Sequence, residues 1–173
     1  MDRKERVRWM DKVVFLDRDG VINKNLAPSD YVKSWDEFEF LPDIAESIRL
    51  LNDSGFKVVV VTNQAGVAKG KMTLETLNKI HEQMKKELKK RGARVDAIYF
   101  CPHRNEDNCI CRKPKPGMLL NAAKDLRFDI KKAIFIGDDE RDVVAGKTVG
   151  CVTIKVAPDS SILETVRKII GLR

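Results

Sequence analysis

The chain of 173 residues is long enough to bury a central β-sheet, and we expect a single domain over residues 1–173. A hydrophobic content of 43% and a charged content of 34% are ordinary for a folded protein and exclude an intrinsically disordered chain. The net charge of +7 comes from lysine-rich segments that also carry glutamate, which favours a solvated surface over a nucleic-acid-binding face.

The first residues, MDRKERVRWMDK, are charged and contain no apolar run long enough for a signal sequence or a membrane span. We therefore expect a cytoplasmic protein with no membrane partner and a basic leader that frays from the fold, with Trp9 as a packing residue. In a reducing cytoplasm, clustered cysteines indicate metal binding rather than disulfides.

Five apolar runs predict buried parallel strands: VVFL (13–16), VVVV (58–61), AIYF (97–100), AIFI (133–136) and CVTIKV (151–156). Amphipathic segments lie between or after them: LPDIAESIRLLNDSG (41–55), MTLETLNKIHEQMKKELKKRG (72–92), PGMLLNAAKDL (116–126) and SILETVRKII (161–170). Strands that alternate with helices predict an α/β fold, namely a doubly wound, Rossmann-like, mostly parallel sheet with helices on both faces.

Two helical segments carry more detailed signals. In the second segment, apolar residues recur at helical spacing from Leu74 to Leu88, which predicts a buried stripe. His81 lies among polar residues of the same segment, and we expect it at the surface. In the last segment Ser161 is followed by Glu164, which is the spacing of a capping box.

The first strand ends on two carboxylates placed two residues apart, in VVFLDRDGVI. Side chains at i and i+2 of an extended chain project to the same side, so Asp17 and Asp19 can converge on one point while Arg18 points away. Two carboxylates suit a hard cation such as Mg²⁺, and Gly20 allows a sharp turn or the close approach of a ligand. A turn that uses Asp and Gly only for loop chemistry is the alternative for this motif alone.

Polar residues also follow other strands, at the edge of the sheet where doubly wound folds bind ligands. Thr62 follows the second strand in TNQAG, where its hydroxyl and the next backbone N–H groups, at the start of a helix, can bind a phosphate. Asp138 and Asp139 follow the fourth strand in GDDERD and offer oxygens to the same cation, with Asp142 one helical turn beyond Asp138. Helix capping by Thr62 or Asp138, and a solvated position for Arg141, are the alternatives.

A cluster of metal-ligand residue types follows the third strand: Cys101, His103, Cys109 and Cys111. Three thiolates and an imidazole in two close pairs suit tetrahedral Zn²⁺ and leave no open position for a catalytic water. The sequence therefore predicts a structural zinc site in a loop of about residues 101–111, with a chance group of reduced cysteines as the alternative. Cys151 lies in an apolar strand and is expected in the core.

In order and spacing, DRDG, VVTN, RKPKPG and GDDERD resemble the four motifs of the phosphatases of the haloacid dehalogenase superfamily, over roughly residues 12–158. The resemblance implies hydrolysis of a phosphomonoester through a phospho-aspartate, with Asp17 as the nucleophile and Asp19 as the general acid/base. It implies that Thr62 and Lys113 stabilise the phosphoryl group. It also implies a catalytic Mg²⁺ bound by Asp17, the backbone carbonyl of Asp19, and Asp138.

Within the superfamily, CPHRNEDNCICRKPKPGM resembles the zinc-bearing D-glycero-D-manno-heptose 1,7-bisphosphate 7-phosphatases and the histidinol-phosphate phosphatases. DYVKSWDEFEFLP, TNQAGVAKGKMT and KPGML are more similar to the heptose enzymes, which act in the synthesis of nucleotide-activated heptose and lipopolysaccharide core precursors. This resemblance implies a small phosphorylated sugar as substrate, with histidinol phosphate as the alternative. The positions that line or approach the substrate in that family correspond here to Tyr31, Asn63, Gln64, Arg112 and Asp139. Asp139 stands where some members have lysine.

Only short loops occupy the positions where cap domains are inserted in the superfamily, so we expect a minimal cap over an open site. Separately, we expect a monomer that binds no nucleic acid. The zinc loop runs into Arg112 and Lys113 and is expected to hold both over the site. Trp35 is expected to be a packing residue, in a loop that could border the entrance.

Two rival classes fit less well. A nucleic-acid 3′-phosphatase would use the same motifs but needs a basic face with aromatic stacking residues, and only 6% of the chain is aromatic. A non-catalytic zinc-binding module would have lost an aspartate or the lysine of the four motifs, and all of these residues are present.

Overall fold

The structure, a computed structural model, describes residues 12–171, so the predictions for the basic leader and for Trp9 lie outside the described residues. Within that range, five strands alternate with five α-helices along the chain. The strands are β1 (Val13–Leu16), β2 (Lys57–Asn63), β3 (Ala97–Cys101), β4 (Ile134–Gly137) and β5 (Val152–Lys155). The helices are α1 (Ile44–Asp53), α2 (Leu74–Lys90), α3 (Gly117–Leu126), α4 (Glu140–Thr148) and α5 (Leu163–Ile169).

All five strands belong to one parallel sheet in the order β3-β2-β1-β4-β5. The chain builds outward from β1 to β2 and β3, then returns to add β4 and β5 on the other side of β1. The order therefore reverses between β1 and β4, which is where open α/β sheets bind their ligands. The predicted fold class is confirmed.

Alternate side chains of the strands supply two separate cores. Val14 and Leu16 face one side of the sheet, where they pack with residues of α1, α2 and α5. Val13 and Phe15 face the other side, where residues of α3 and α4 cover them. Burial on both faces explains why the central strands are uninterrupted apolar runs.

The prediction of complete burial is wrong for the two edge strands. Residues Ala97 to Phe100 of β3 are only half-buried, and Val152 of β5 is 56% exposed. Each edge strand has a neighbour on one side only, so its helices cover it less completely. No helix of the described residues is both long and apolar enough to cross a bilayer.

Two predicted helix starts differ from the structure. No helix follows β2 directly, because residues 65–70 form turns and α2 begins only at Leu74, whose preceding residue Thr73 caps it by accepting a bond from the Thr76 N–H. The capping box at the start of α5 does not form either. Ser161 accepts a bond from the N–H of Leu163 instead, and no side chain caps the helix at its first residue.

Candidate active site

A cavity of about 480 Å³ opens at the carboxyl edge of the sheet, beside the ends of β1, β2 and β4. Such a volume suits a small-molecule ligand. Nine of the ten residues predicted to be catalytic, substrate-binding or magnesium-binding line it: Asp17, Asp19, Tyr31, Thr62, Asn63, Arg112, Lys113, Asp138 and Asp139.

The turn after β1 brings the first and fourth motifs into contact. Gly20 has a φ of +87°, which a residue with a side chain rarely adopts. A methyl group at this position would collide with the carboxylate of Asp138 and with the Asn25 side chain. The glycine therefore serves the predicted sharp turn, and the close approach that it permits is that of two side chains rather than of a ligand.

Lys113 joins two carboxylates at the floor of the cavity. Its Nζ lies 2.9 Å from Asp17 Oδ1 and 2.6 Å from Asp142 Oδ1, and it donates a 3.0 Å hydrogen bond to the carbonyl of Val61. Burial opposes its charge, but the two acids prevail and raise the pKa of Lys113, so the ammonium stays protonated. Burial also raises the pKa of Asp17 well above its usual value, against the opposing effect of Lys113.

Three carboxylates lie close enough together to hold one cation. Oxygens of Asp17, Asp138 and Asp142 all lie within 4.8 Å of one another. Burial, followed by the charge of Asp142, raises the pKa of Asp138, which indicates excess negative charge in this corner of the cavity. Three hard carboxylate oxygens in a region of excess negative charge are suited to bind Mg²⁺. Asp142 was not predicted as a ligand, although its position one helical turn after Asp138 was the signal for it.

The carboxylate of Asp19 does not belong to this group, contrary to the expectation that both acids converge on one point. Its Oδ1 accepts bonds from Arg18 Nη2 (2.8 Å) and Asn23 Nδ2 (2.9 Å), and its Oδ2 accepts one from Gln64 Nε2 (2.7 Å). Burial acts to raise the pKa of Asp19, but the charge of Arg18 and these hydrogen bonds lower it. Two neighbouring carboxyl groups thus have environments that push their pKa values in opposite directions.

His81 contradicts the sequence prediction, because it is buried rather than at the surface. Only 5% of it is exposed, and its Nε2 lies 3.1 Å from Nη1 of the fully buried Arg18. Burial, and then the charge of Arg18, lower the pKa of His81 to about 3, so the imidazole is neutral. Arg18 does not line the cavity, in agreement with the expectation that it points away from the site.

Gln64 also differs from its prediction as a substrate contact. Its side chain is completely buried, does not line the cavity, and donates to both Asp19 and Thr62, the latter over 2.9 Å. Because Thr62 Oγ1 accepts this bond, its own hydroxyl hydrogen is available to a ligand. Thr62 lies inside β2 and caps no helix.

Asp139, rather than Asp138, caps the helix α4. It accepts a bond from the N–H of Arg141 and forms a capping box with Asp142, which leaves Asp138 free to face the cavity. Asp139 also holds the Arg141 guanidinium through two bonds of 2.8 and 2.9 Å, and these lower the pKa of Asp139 to about 2. Arg141 is exposed, in agreement with the solvated alternative, and it also lines the cavity.

The cysteine and histidine cluster is assembled as predicted. Its neighbouring ligand atoms are 3.1 to 3.6 Å apart, and all four cysteines of the chain are free thiols. Sulfur ligands around a tetrahedral zinc ion lie about 3.8 Å apart, given a Zn–S distance of about 2.3 Å. The donor set and its spacing therefore fit Zn²⁺. Cys151 is buried in the core, as expected.

This loop fixes the two cations that follow it. Arg112 donates to the side chain of Asn105 (2.7 Å) and to the carbonyl of His103 (3.2 Å), both within the loop. The backbone of Lys113 forms two 3.0 Å hydrogen bonds with the Asn63 side chain at the end of β2. Arg112 and Lys113 are thus tied to both the loop and the sheet.

The mouth of the cavity is formed by the loop after the first motif. Lys69 donates to the Tyr31 hydroxyl over 3.0 Å and also lies 5.4 Å from the centre of its ring. Trp35 does not line the cavity but stacks on Phe38 at 4.8 Å, which is a packing role. Sequence reasoning missed Asn25 and Lys69 as lining residues, because single polar residues in a loop carry no periodic signal.

Comparisons with known proteins show the family to which the chain belongs. A family model described as "Polynucleotide kinase 3 phosphatase" matches residues 12–155. The D-glycero-beta-D-manno-heptose-1,7-bisphosphate 7-phosphatase of Helicobacter pylori is 40% identical over 137 residues, which cover 79% of this chain and 77% of the relative.

Two solved structures have the same fold over most of their length. The D,D-heptose 1,7-bisphosphate phosphatase of Bordetella bronchiseptica, complexed with magnesium and phosphate, is 38% identical with a TM-score of 0.81, and the match covers 94% of this chain and 88% of that one. A HAD-like phosphatase of Mesorhizobium loti, described as putative, is 30% identical with a TM-score of 0.81, over 92% and 86% of the two chains. The chain belongs to the phosphatases of the haloacid dehalogenase superfamily. The superfamily phosphatase expected from the four motifs is confirmed.

Proposed function

We propose that this haloacid dehalogenase phosphatase removes the 7-phosphate of D-glycero-D-manno-heptose 1,7-bisphosphate in the cytoplasm, as a monomer. The observation that carries the proposal is Lys113, which lies between Asp17 and Asp142 at the floor of a cavity of about 480 Å³. The relatives named for this substrate, at about 40% identity, support the sugar.

In the first step a carboxylate oxygen of Asp17 bonds to phosphorus, and the bond between phosphorus and the C7 oxygen breaks. The departing oxygen keeps the electron pair and takes a proton from Asp19, whose carboxyl group faces the same cavity. The approaching phosphate adds negative charge beside Asp19, which favours the protonated form that this step needs.

In the second step Asp19 takes a proton from a water molecule, the water oxygen bonds to phosphorus, and the bond to Asp17 breaks. Lys113 and the hydroxyl of Thr62 donate to the phosphoryl oxygens in both steps. Asp17, Asp138 and Asp142 are the side chains that would hold Mg²⁺, together with the backbone carbonyl of Asp19. When bound, the cation supplies positive charge that offsets repulsion between the carboxylates and the phosphate.

The second phosphate of the substrate requires cations away from the reacting centre. Lys69, Arg112 and Arg141 line the cavity at its mouth and carry that charge. Arginine and lysine side chains bind phosphate through charge-assisted hydrogen bonds. Neutral polar groups also line the cavity, among them Asn25, Tyr31 and Asn63, and these are available to the sugar hydroxyls.

A comparison of substrates tests the proposal. We expect kcat/KM for heptose 1,7-bisphosphate to exceed that for histidinol phosphate and for a 3′-phosphorylated oligonucleotide by about 100-fold or more. Histidinol phosphate has no second phosphate for the cations at the mouth, and the oligonucleotide needs a surface on which its bases can stack. A higher value for the oligonucleotide would support a nucleic-acid phosphatase instead. Tyr31 is the one aromatic residue among the described residues that line the cavity, and Lys69 lies over its ring, so base stacking is not provided for.

We further propose a structural zinc ion at Cys101, His103, Cys109 and Cys111. Cys109→Ala is expected to lower the zinc content from about one ion per chain to nearly none and to lower the melting temperature. KM should rise several-fold, because Arg112 is held by the loop, whereas the chemical groups of Asp17 and Asp19 remain. Cys151→Ala removes a cysteine outside the cluster and should keep its zinc. A content of about one zinc ion per chain in Cys109→Ala, measured by elemental analysis, would contradict this assignment.

A further inference from the structure

The general acid/base Asp19 is held by a buried network that the proposed chemistry does not itself use. Arg18 contacts Asp19 Oδ1 through Nη2 at 2.8 Å and through Nε at 3.3 Å. A guanidinium that binds one carboxylate oxygen with two nitrogens fixes the position of that oxygen. Asn23 and Gln64 complete the contacts of the same carboxylate.

Arg18 is itself fixed from the opposite side. Its side chain is completely buried, and its guanidinium carbon lies 5.8 Å from the centre of the Phe38 ring. Its Nη1 lies 3.1 Å from His81 Nε2, on helix α2. Arginine has no acceptor, so Nη1 donates, Nε2 accepts, and the proton of the imidazole is on Nδ1. The His81 ring packs 5.6 Å from that of Phe100, on the neighbouring strand β3.

The backbone of Arg18 is fixed as well. Its carbonyl oxygen accepts bonds from the N–H groups of Val21, Ile22 and Asn23, at 2.7 to 3.3 Å. A buried guanidinium needs partners for its nitrogens, because an unpaired donor costs its full desolvation penalty. His81 supplies one such partner, and without it the Arg18 side chain would gain freedom to move away from Asp19.

We infer that Arg18 and His81 are positioning residues that hold the carboxyl group of Asp19 where it exchanges protons with the substrate. This inference rests on the proposed function, in which Asp19 is the general acid/base. Neither residue lines the cavity, so both act through Asp19 rather than on the substrate. The network links the first motif to a helix that contributes no group to the chemistry.

Two phosphate esters with different leaving groups distinguish a role in positioning Asp19 from a role in the stability of the fold alone. The C7 oxygen of the heptose bisphosphate needs a proton when it leaves, whereas p-nitrophenolate leaves without one. The ratio kcat/KM covers only the steps up to release of the alcohol, so it reports this proton transfer and not the later attack by water. A displaced Asp19 should therefore slow the sugar phosphate selectively.

His81→Leu, which removes the acceptor, is expected to lower kcat/KM for heptose 1,7-bisphosphate about tenfold more than kcat/KM for p-nitrophenyl phosphate. His81→Gln places an amide oxygen near the position of Nε2, and it should restore the ratio to within about threefold of the parent protein. Leu88→Val is the matched control, since Leu88 is buried on the same helix but has no part in the network. This variant should change kcat/KM for the two substrates by the same factor.

Equal losses for the two esters in His81→Leu, or a glutamine variant as selectively impaired as the leucine variant, would overturn the inference. If the leucine variant does not fold, His81→Asn replaces it, because its shorter amide does not reach Arg18, and the same selective loss is expected. Failure of the unmodified protein to hydrolyse the sugar phosphate would remove the proposed function and the inference together. Normal hydrolysis with an unchanged ratio would remove only the positioning role.

Discussion

Replacing Asp17 with asparagine is expected to reduce phosphate release on the order of 10⁴-fold or more while the protein stays folded. The amide has nearly the same shape but is a poor nucleophile, so the phospho-aspartate does not form. Release of inorganic phosphate from heptose 1,7-bisphosphate measures the effect. Asp53→Asn changes an exposed carboxylate on α1 and should keep full activity. Turnover near the normal rate in Asp17→Asn would assign the nucleophile to another residue.

The same substitution should not lower stability in the metal-free protein. Burial raises the pKa of Asp17 in the folded state, so its ionised form costs free energy of folding. A raised carboxyl pKa means that stability is fully present below the unfolded pKa and falls as the pH rises through the interval up to the folded pKa. Asparagine has no such charge, so the melting temperature measured with a chelator should fall less with rising pH in the variant.

The sheet and the main acids of the site follow from local sequence patterns. Uninterrupted apolar runs such as VVFL predict buried parallel strands, and all such strands present their carboxyl ends at one edge of the sheet. Asp17, Thr62 and Asp138 come directly after or at the end of strands, so the fold alone brings them together. Their convergence needed no knowledge of side-chain contacts.

The errors come from residues whose environment is set by distant parts of the chain. His81 follows Leu77 by four residues and precedes Met84 by three, so it lies on the buried face of α2. That periodicity was a signal for burial, but no local pattern indicates that a histidine there meets Arg18, 63 residues away. Gln64 likewise depends on Asp19, a partner 45 residues away that only the folded chain supplies.

Replacing Lys113 with methionine is expected to abolish activity and to destabilise the fold by about 3 kcal/mol or more. The ammonium is 3% exposed and lies within 3 Å of both Asp17 and Asp142, so its removal leaves buried carboxylates without their cation. Urea unfolding with a chelator measures the loss. Lys124→Met removes an exposed lysine from α3 and should change stability by no more than about 0.5 kcal/mol.

The pH dependence of this loss identifies its cause. Without Lys113, the effect that lowers the pKa of Asp17 is gone, so its folded pKa rises further above the unfolded value. At low pH the carboxyl group of Asp17 is then protonated and destabilises the folded state little. The destabilisation grows as the pH rises past the unfolded pKa, because the buried group becomes ionised. The stability difference from the parent protein should therefore be larger at pH 8 than at pH 5. Adding Asp142→Asn should recover part of the stability at pH 8 but none of the activity, because one buried charge is removed while the ammonium that we propose binds the phosphoryl group is still missing.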